Sequence, residues 1–152
     1  MARDCGSSPL MISLLVDFAI EDMATEVLAA NLATLSPPQL DSLAVALKTL
    51  PATPSVADCK RFERPLFGEL ASSEEFLASF AKAADREAVL LVRRQLLLLA
   101  VQVQRDGPDV IKDATVPNHG PVEYAKTDAG FELRCPPKSA DEPVVLRVTT
   151  AR

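Results

Sequence analysis

The residue types that could support catalysis are few and widely separated in this chain of 152 residues. The single histidine, His119, lies in the turn-like segment 117–121, and no neighbour in the sequence supplies a general-base or nucleophile partner. An enzyme would need Asp17, Glu21, Glu63 or His119 to converge in one cleft. No G-x-S-x-G sequence occurs, and five scattered glycines form no phosphate-binding or dinucleotide loop. We therefore predict that His119 is an exposed loop residue and that the protein is not an enzyme.

Two pairs of carboxylates near the N-terminus have a spacing that acid–base chemistry or cation binding could use. Asp17 with Glu21 and Asp22 with Glu26 lie four residues apart, so each pair shares one face of a helix. The same spacing is frequent on solvated helix faces, which is the interpretation we favour. A single histidine also excludes the Glu-x-x-His pairs of a di-iron bundle and a histidine-rich zinc site. We expect no cofactor and no bound metal.

Three cysteines, Cys5, Cys59 and Cys135, are far apart and form no CxxC motif. This spacing matches neither a disulfide framework nor a zinc knuckle, and it favours buried or incidental thiols. In an oxidising compartment, a Cys5–Cys135 or a Cys59–Cys135 disulfide remains an alternative, because the sequence does not choose between these redox states.

The charge distribution argues against a nucleic-acid partner. The net charge is −5, and residues 1–54 hold six acidic but only two basic side chains. Residues 55–104 are balanced, and residues 105–152 hold eight acidic and seven basic side chains. Affinity for a phosphate backbone depends on clustered Lys and Arg, and no segment of this chain is basic. We expect a protein partner or self-association instead of nucleic acid.

Spacing of apolar residues predicts helices in the first hundred residues. Ser8-Pro9 is a helix start, and apolar residues at steps of three and four continue to about residue 32, with Leu14, Phe18, Ile12, Met23 and Val27 among them. Ser36-Pro37-Pro38-Gln39 has the signature of a capping box, and the helix that follows ends at Pro51.

Three further helices are predicted after residue 54. Ser55 with Asp58 starts the third, and Pro65 should kink or split it. Ser72 with Glu75 has the spacing of a capping box for the fourth, and Asp85 can cap a fifth over residues 86–105. The fifth helix is apolar on most of its circumference, and we expect it to be central. Its apolar run, 89–103, is too short and too polar to span a bilayer, so we expect no membrane span.

The last third of the chain has the pattern of β-strands. Residues 107–121 contain turn formers and are predicted to form a loop. Segments 122–125 and 131–135 alternate apolar and polar residues around a five-residue turn, and 144–148 is a third candidate strand. The predicted fold is mainly α: four or five helices around 86–105, with a small antiparallel hairpin or three-stranded sheet. We expect a helical body over 1–105 and a β appendage over 106–152, packed as one structural domain.

One local pattern resembles a known family. Gly120-Pro121-Val122-Glu123-Tyr124 followed by Gly130-Phe131-Glu132-Leu133-Arg134-Cys135 resembles the C-terminal hairpin of type II secretion pseudopilins, in which a long helix, a loop and such a hairpin follow one another, as in residues 86–135. The helical part resembles long uncharacterised bacterial proteins. The resemblance implies a bacterial source and an envelope setting, with no activity. The chain shows neither the methylation motif of that family nor a calcium loop after Cys135.

These observations favour a non-enzymatic interaction or scaffolding module, as one segment of a larger envelope-associated protein. The alternative is a helical domain that binds a small molecule in a Leu-lined pocket. Arg93 and Arg94 interrupt the apolar helix. We expect either that they pair with an acidic group of this chain, such as Glu63 or Glu69, or that they anchor a carboxylate of a partner. The candidate interaction residues are Arg93, Arg94, Tyr124 and Phe131. The sequence does not predict a compartment.

Overall fold

A computed structural model describes residues 10–51, 53–136 and 142–149 of the chain. Within these residues the fold is mainly α with a C-terminal antiparallel sheet, which confirms the predicted fold class. Ser8-Pro9, the predicted first helix start, and Cys5 lie outside the described residues. The described elements are α1 (Met11–Asn31), α2 (Pro37–Lys48), α3 (Val56–Phe67), α4 (Glu74–Asp106), β1 (Thr115–Val116), β2 (Gly120–Pro121), β3 (Glu123–Thr127), β4 (Gly130–Cys135) and β5 (Val144–Thr149).

Two compact units make up the chain, and each combines segments that are distant in sequence. The first unit comprises the described residues of Met1–Asp22 and Pro51–Leu90, and the second comprises those of Met23–Leu50 and Leu91–Arg152. Both α1 and α4 therefore contribute to both units. The division falls within these two helices.

In the first unit, α3 begins at the predicted start, Ser55 with Asp58, and the two residues form a capping box. The Ser55 hydroxyl accepts a hydrogen bond from the Asp58 backbone N–H at 3.1 Å, and the Asp58 carboxylate accepts one from the Ser55 backbone N–H at 3.1 Å. The Ser55 hydroxyl also donates to the Asp58 carboxylate. These hydrogen bonds lower the pKa of Asp58.

Pro65 lies inside α3 but does not split it. The helix ends two residues later, at Phe67, and a short 3-10 helix follows over Gly68–Ser72. Proline removes one backbone donor, so a position in the last turn disturbs few helical hydrogen bonds. Gly68 then adopts a φ of 55°, a left-handed value that favours glycine.

α4 is one continuous helix, whereas the sequence predicts two. It runs over 33 residues, and the hydroxyl of Ser73 accepts a hydrogen bond from the Phe76 N–H at its start. The predicted start at Asp85 is wrong because the segment contains neither Gly nor Pro, and an internal Asp does not end a helix. Among the described residues, no helix combines the length and hydrophobicity that a bilayer span needs.

The first unit has a small apolar core. Residues of α1, α3 and α4 form it, with Met11 and Phe76 packed against its edge. Phe76 also contacts Phe80, with ring centroids 4.8 Å apart. The buried members are Leu14, Phe18, Val56, Cys59, Phe80, Ala83 and Leu90.

In the second unit, α2 starts as the sequence predicts. The side-chain carbonyl of Gln39 accepts hydrogen bonds from the Ser36 backbone N–H and from its hydroxyl, both at 2.8 Å. Leu40 on α2 is buried beside Leu96 and Leu97 of α4, in one core cluster that also includes residues of β4 and β5. The middle of α4 is therefore buried in this unit, as its apolar composition predicts.

The C-terminal sheet has the strand order β3-β4-β5, and all pairs are antiparallel. Thr127 pairs with Gly130, so the turn between β3 and β4 contains two residues, fewer than the five predicted. The third predicted strand is confirmed as β5. Leu133 lies opposite Tyr124 and Leu146, and it is fully buried, so this face of the sheet covers the core.

The segment between α4 and the sheet is more ordered than the predicted loop. A 3-10 helix spans Pro108–Ile111, and β1 pairs with β2 across a turn that holds Asn118 and His119. α4 stops at the predicted place, because Gly107 adopts a φ of 89° that most other residues disfavour.

Candidate interaction surface

The two arginines predicted as interaction residues lie in the middle of α4, and Arg93 forms an ion pair with α1. Nη2 of Arg93 lies 3.2 Å from Oε1 of Glu26, with side-chain exposures of 17% and 65% respectively. Glu26 is thus one acidic partner of Arg93, whereas Glu63 and Glu69 are the examples named from the sequence. Arg94 is half-buried. The environment of Arg93 is that of a structural ion pair at the edge of the core.

The two aromatic candidates belong to the sheet. The rings of Tyr124 and Phe131 stack with centroids 5.5 Å apart. Phe131 is only 5% exposed and is part of the core cluster, and Tyr124 is half-buried and packs against it. Phe131 therefore offers almost no surface to a partner in the folded chain, and both rings stabilise the second unit.

Two of the residues considered for catalysis, Glu63 and His119, lie next to backbone groups of the chain. Glu63 is 6% exposed and accepts a hydrogen bond from the backbone N–H of Met11. His119 is predicted to be exposed, but it is half-buried. Its Nδ1 lies 3.4 Å from the carbonyl oxygen of Pro136. In the part of the chain that the structure describes, no group of three or more His, Cys, Asp or Glu side chains is placed to hold a metal ion.

Two of the three cysteines lie within the described residues, and both are buried free thiols. Burial raises the pKa of Cys59, and the nearby carboxylates of Glu63, Asp58 and Glu87 raise it further. Burial also raises the pKa of Cys135. A raised pKa keeps a thiol protonated and poorly nucleophilic at neutral pH, so these two cysteines lack the character of reactive groups.

α1 presents apolar side chains on two opposite faces. Leu14 and Phe18 point into the core of the first unit, and each is buried. At about 100° per residue, a second set of apolar positions on the same helix is centred roughly 180° away from them. All its members are more than half exposed. We call this set the outer stripe of α1: Ile12, Val16, Ile20, Met23 and Val27.

The sequence pattern does not separate these two faces. Leu15 and Ala19 join the two faces through steps of three and four residues, as in Ile12–Leu15–Phe18 and Leu15–Ala19–Met23, so the pattern groups Ile12, Met23 and Val27 with Leu14 and Phe18. The structure corrects this prediction. The signal in the sequence is an excess: more than half of the residues of α1 are apolar, which is more than one helix face can hold.

Acidic side chains lie between the two apolar faces. Asp17 lies about 100° from the centre of the outer stripe on one side, and Glu26 lies about 80° from it on the other. Glu21 and Asp22 lie further round the helix. α1 contains no Lys, Arg or His, so its four charged residues are all carboxylates.

A second group of exposed apolar residues lies at the end of α3 and in the 3-10 helix after it. Phe67 contacts Phe76, with ring centroids 5.3 Å apart, yet it remains 46% exposed. α3 ends within this group, at Phe67, and Gly68 follows with a left-handed φ of 55°. The group consists of Phe62, Leu66, Phe67 and Leu70.

Comparison with protein-family models, with curated proteins and with solved structures finds no match to this chain. The resemblance of residues 86–135 to pseudopilins therefore stays a prediction.

Proposed function

We propose that this chain is a non-enzymatic protein-interaction module that binds a helix of a partner along the outer stripe of α1. The observation that carries the proposal is the stripe itself, a row of large aliphatic side chains that are each more than half exposed. Single exposed apolar residues are normal on protein surfaces, whereas a contiguous set of them is typical of an interaction site.

Burial of the outer stripe by a partner would contribute a substantial hydrophobic free energy of binding. Complete burial of one Val, Ile or Met side chain contributes about 1.5–3 kcal/mol. Covering the exposed fractions of the five side chains would therefore exceed the contribution of any single ion pair on this surface, since exposed ion pairs contribute about 0–1 kcal/mol. A partner that covers the stripe gains this energy without unfolding the core, because Leu14 and Phe18 hold the opposite face of α1.

The test uses a neutral helical peptide of about 18 residues, with Leu on one face and Gln and Ala elsewhere. Titration calorimetry measures its affinity for the wild type, for the double variant Val16→Gln/Ile20→Gln, and for the matched control Val45→Gln. Val45 lies on α2 and is 61% exposed, which is close to the 53% of Val16. We expect the double variant to bind at least about tenfold more weakly, and the control to bind like the wild type.

Circular dichroism melts of the three proteins check that each variant is folded. The proposal is rejected if the wild type neither binds the peptide nor self-associates in sedimentation velocity at any concentration. It is also rejected if Val45→Gln weakens binding as much as the double variant, because the stripe would then have no specific role.

A further inference from the structure

We infer that Glu63 positions the N-terminal end of the outer stripe: its carboxylate, supplied by α3, caps the start of α1 and holds the first turns of that helix in place. This inference rests on the proposed function and concerns the same surface. It depends on where Glu63 lies on α3, on its hydrogen bond to α1, and on the residue types at the start of α1.

Glu63 occupies a position on α3 that the helix pattern would give to an apolar residue. The buried positions of this helix are Val56, Cys59 and Glu63, at steps of three and four residues, and Glu63 is 6% exposed. Among the described residues, it is the only charged residue that is buried. A buried carboxylate costs free energy unless it accepts hydrogen bonds, so the group that donates to Glu63 defines its role.

Glu63 accepts a hydrogen bond from the backbone N–H of Met11, which is the first residue of α1. The N–H groups in the first turn of a helix have no acceptor within the helix, and the N-terminus carries a partial positive charge. A carboxylate at this place satisfies one of those donors and interacts favourably with the helix dipole. Glu63 therefore has the chemistry of a helix cap, although it belongs to another helix.

Within the described residues, the start of α1 has little capping capacity of its own. Leu10 precedes the helix, its apolar side chain cannot accept a hydrogen bond, and the first turn contains no Asp or Glu. α3 differs, because it has a capping box of its own. Glu87 of α4 adds a carboxylate there, with both oxygens 3.4 Å from the backbone nitrogen of Val56. Loss of Glu87 should thus matter little to α3, whereas loss of Glu63 should loosen the first turns of α1.

Those first turns carry one end of the binding surface. Ile12 and Val16 of the outer stripe lie in the first two turns of α1, and they are 71% and 53% exposed. If these turns fray, both side chains leave the row that continues at Ile20. Glu63 therefore acts on the surface through Met11 and does not itself contact the partner, since its own side chain is buried.

The experiment compares Glu63→Gln, which keeps a carbonyl acceptor, with Glu63→Met, which removes the acceptor at similar side-chain volume. Hydrogen exchange measured by NMR follows the amides of Met11 and Leu14, of which the second bonds the carbonyl of Leu10. We expect at least about tenfold less protection in Glu63→Met. Glu63→Gln should give an intermediate value, because a neutral acceptor forms a weaker hydrogen bond than a carboxylate. Amides of α3 should keep their protection in both variants.

Peptide affinity is the second measurement, because a purely structural role of Glu63 would not change it. Calorimetry with the neutral Leu-faced peptide should show at least about threefold weaker binding to Glu63→Met, since the end of the stripe is no longer held. Glu87→Met is the matched control: it removes a carboxylate from the start of α3 and should leave both the α1 amides and the peptide affinity unchanged.

The outcomes distinguish the two proposals. Unchanged protection of Met11 and Leu14 in Glu63→Met, or an equal loss in α3, overturns the role of Glu63 as a cap. Lost protection with unchanged peptide affinity overturns its link to the stripe and leaves the interaction module standing. If Glu63→Met does not fold, the same comparison of α1 with α3 in Glu63→Gln decides. A folded wild type that does not bind the peptide removes the link to the stripe, whatever the exchange result.

Discussion

The two units of the molecule differ in how completely they cover their apolar side chains. Among the described residues, the core cluster of the first unit has seven buried members and that of the second has seventeen. Of the fifteen large apolar residues that are exposed, ten belong to the first unit. The second unit has a sheet whose inner face covers α4, and the first has only short helical segments. The larger buried core of the second unit predicts that it is the more stable of the two.

The largest effect is expected from a substitution in the core of the second unit. Leu96 is fully buried, and Leu91, on the same helix, is 55% exposed. Leu96→Ala should lower the free energy of unfolding by about 2–5 kcal/mol, because it removes buried methyl groups and leaves a cavity. Leu91→Ala should change it by less than about 0.5 kcal/mol. Urea denaturation followed by circular dichroism measures both, and equal losses would mean that burial does not distinguish the two positions.

The two buried thiols report directly on the local stability of the units. In a Cys5→Ser background, Cys59 should react with a disulfide reagent at least about tenfold faster than Cys135, because the smaller core of the first unit opens at a lower free energy. The carboxylates near Cys59 raise its pKa and act in the opposite direction, so they cannot produce this result. Slower reaction of Cys59 would reverse the comparison between the units.

A smaller effect is expected at the start of α3. The hydroxyl of Ser55 accepts a hydrogen bond from the Asp58 N–H, and Ser55→Ala removes that acceptor. The loss should be about 1 kcal/mol, as for other helix N-caps, and it should appear in the first unit. Hydrogen exchange measures it: amides of α3 should lose protection while amides of β4 keep theirs. Equal loss in both places would show that the units unfold together.

The smallest effect concerns the outer face of the sheet. Glu132 accepts hydrogen bonds from Arg134 and from Arg147, both at 2.8 Å, and these arginines hold its pKa below the usual 4.5. A lowered pKa contributes stability above pH 4.5, and this stability is lost as the pH falls through the lower, folded-state value. The difference in stability between wild type and Glu132→Gln should therefore be constant near neutral pH and shrink below pH 4.5. A constant difference in urea denaturation down to pH 3 would contradict this.

The sequence predicts most of the elements because their signals are local. Capping boxes at Ser36 and Ser55, the stop at Gly107 and the alternating pattern of β5 each lie within a few residues. The division into units could not be predicted, because it depends on which parts of α1 and α4 pack with which distant segments. The outer stripe was not predicted either: Leu15 and Ala19 join the two apolar faces of α1 through steps of three and four residues, and only tertiary packing decides which face is buried.

The interleaved order of the two units has a consequence for how the chain can be divided. A single cleavage between Leu50 and Ser55 would give two fragments, and each would hold part of both cores. Neither fragment could bury its own apolar residues, so the two should fold only when mixed. Such complementation offers a way to place different labels in the two halves of the protein. Truncation at residue 105 would instead remove the strands whose side chains share the core cluster with Leu96 and Leu97.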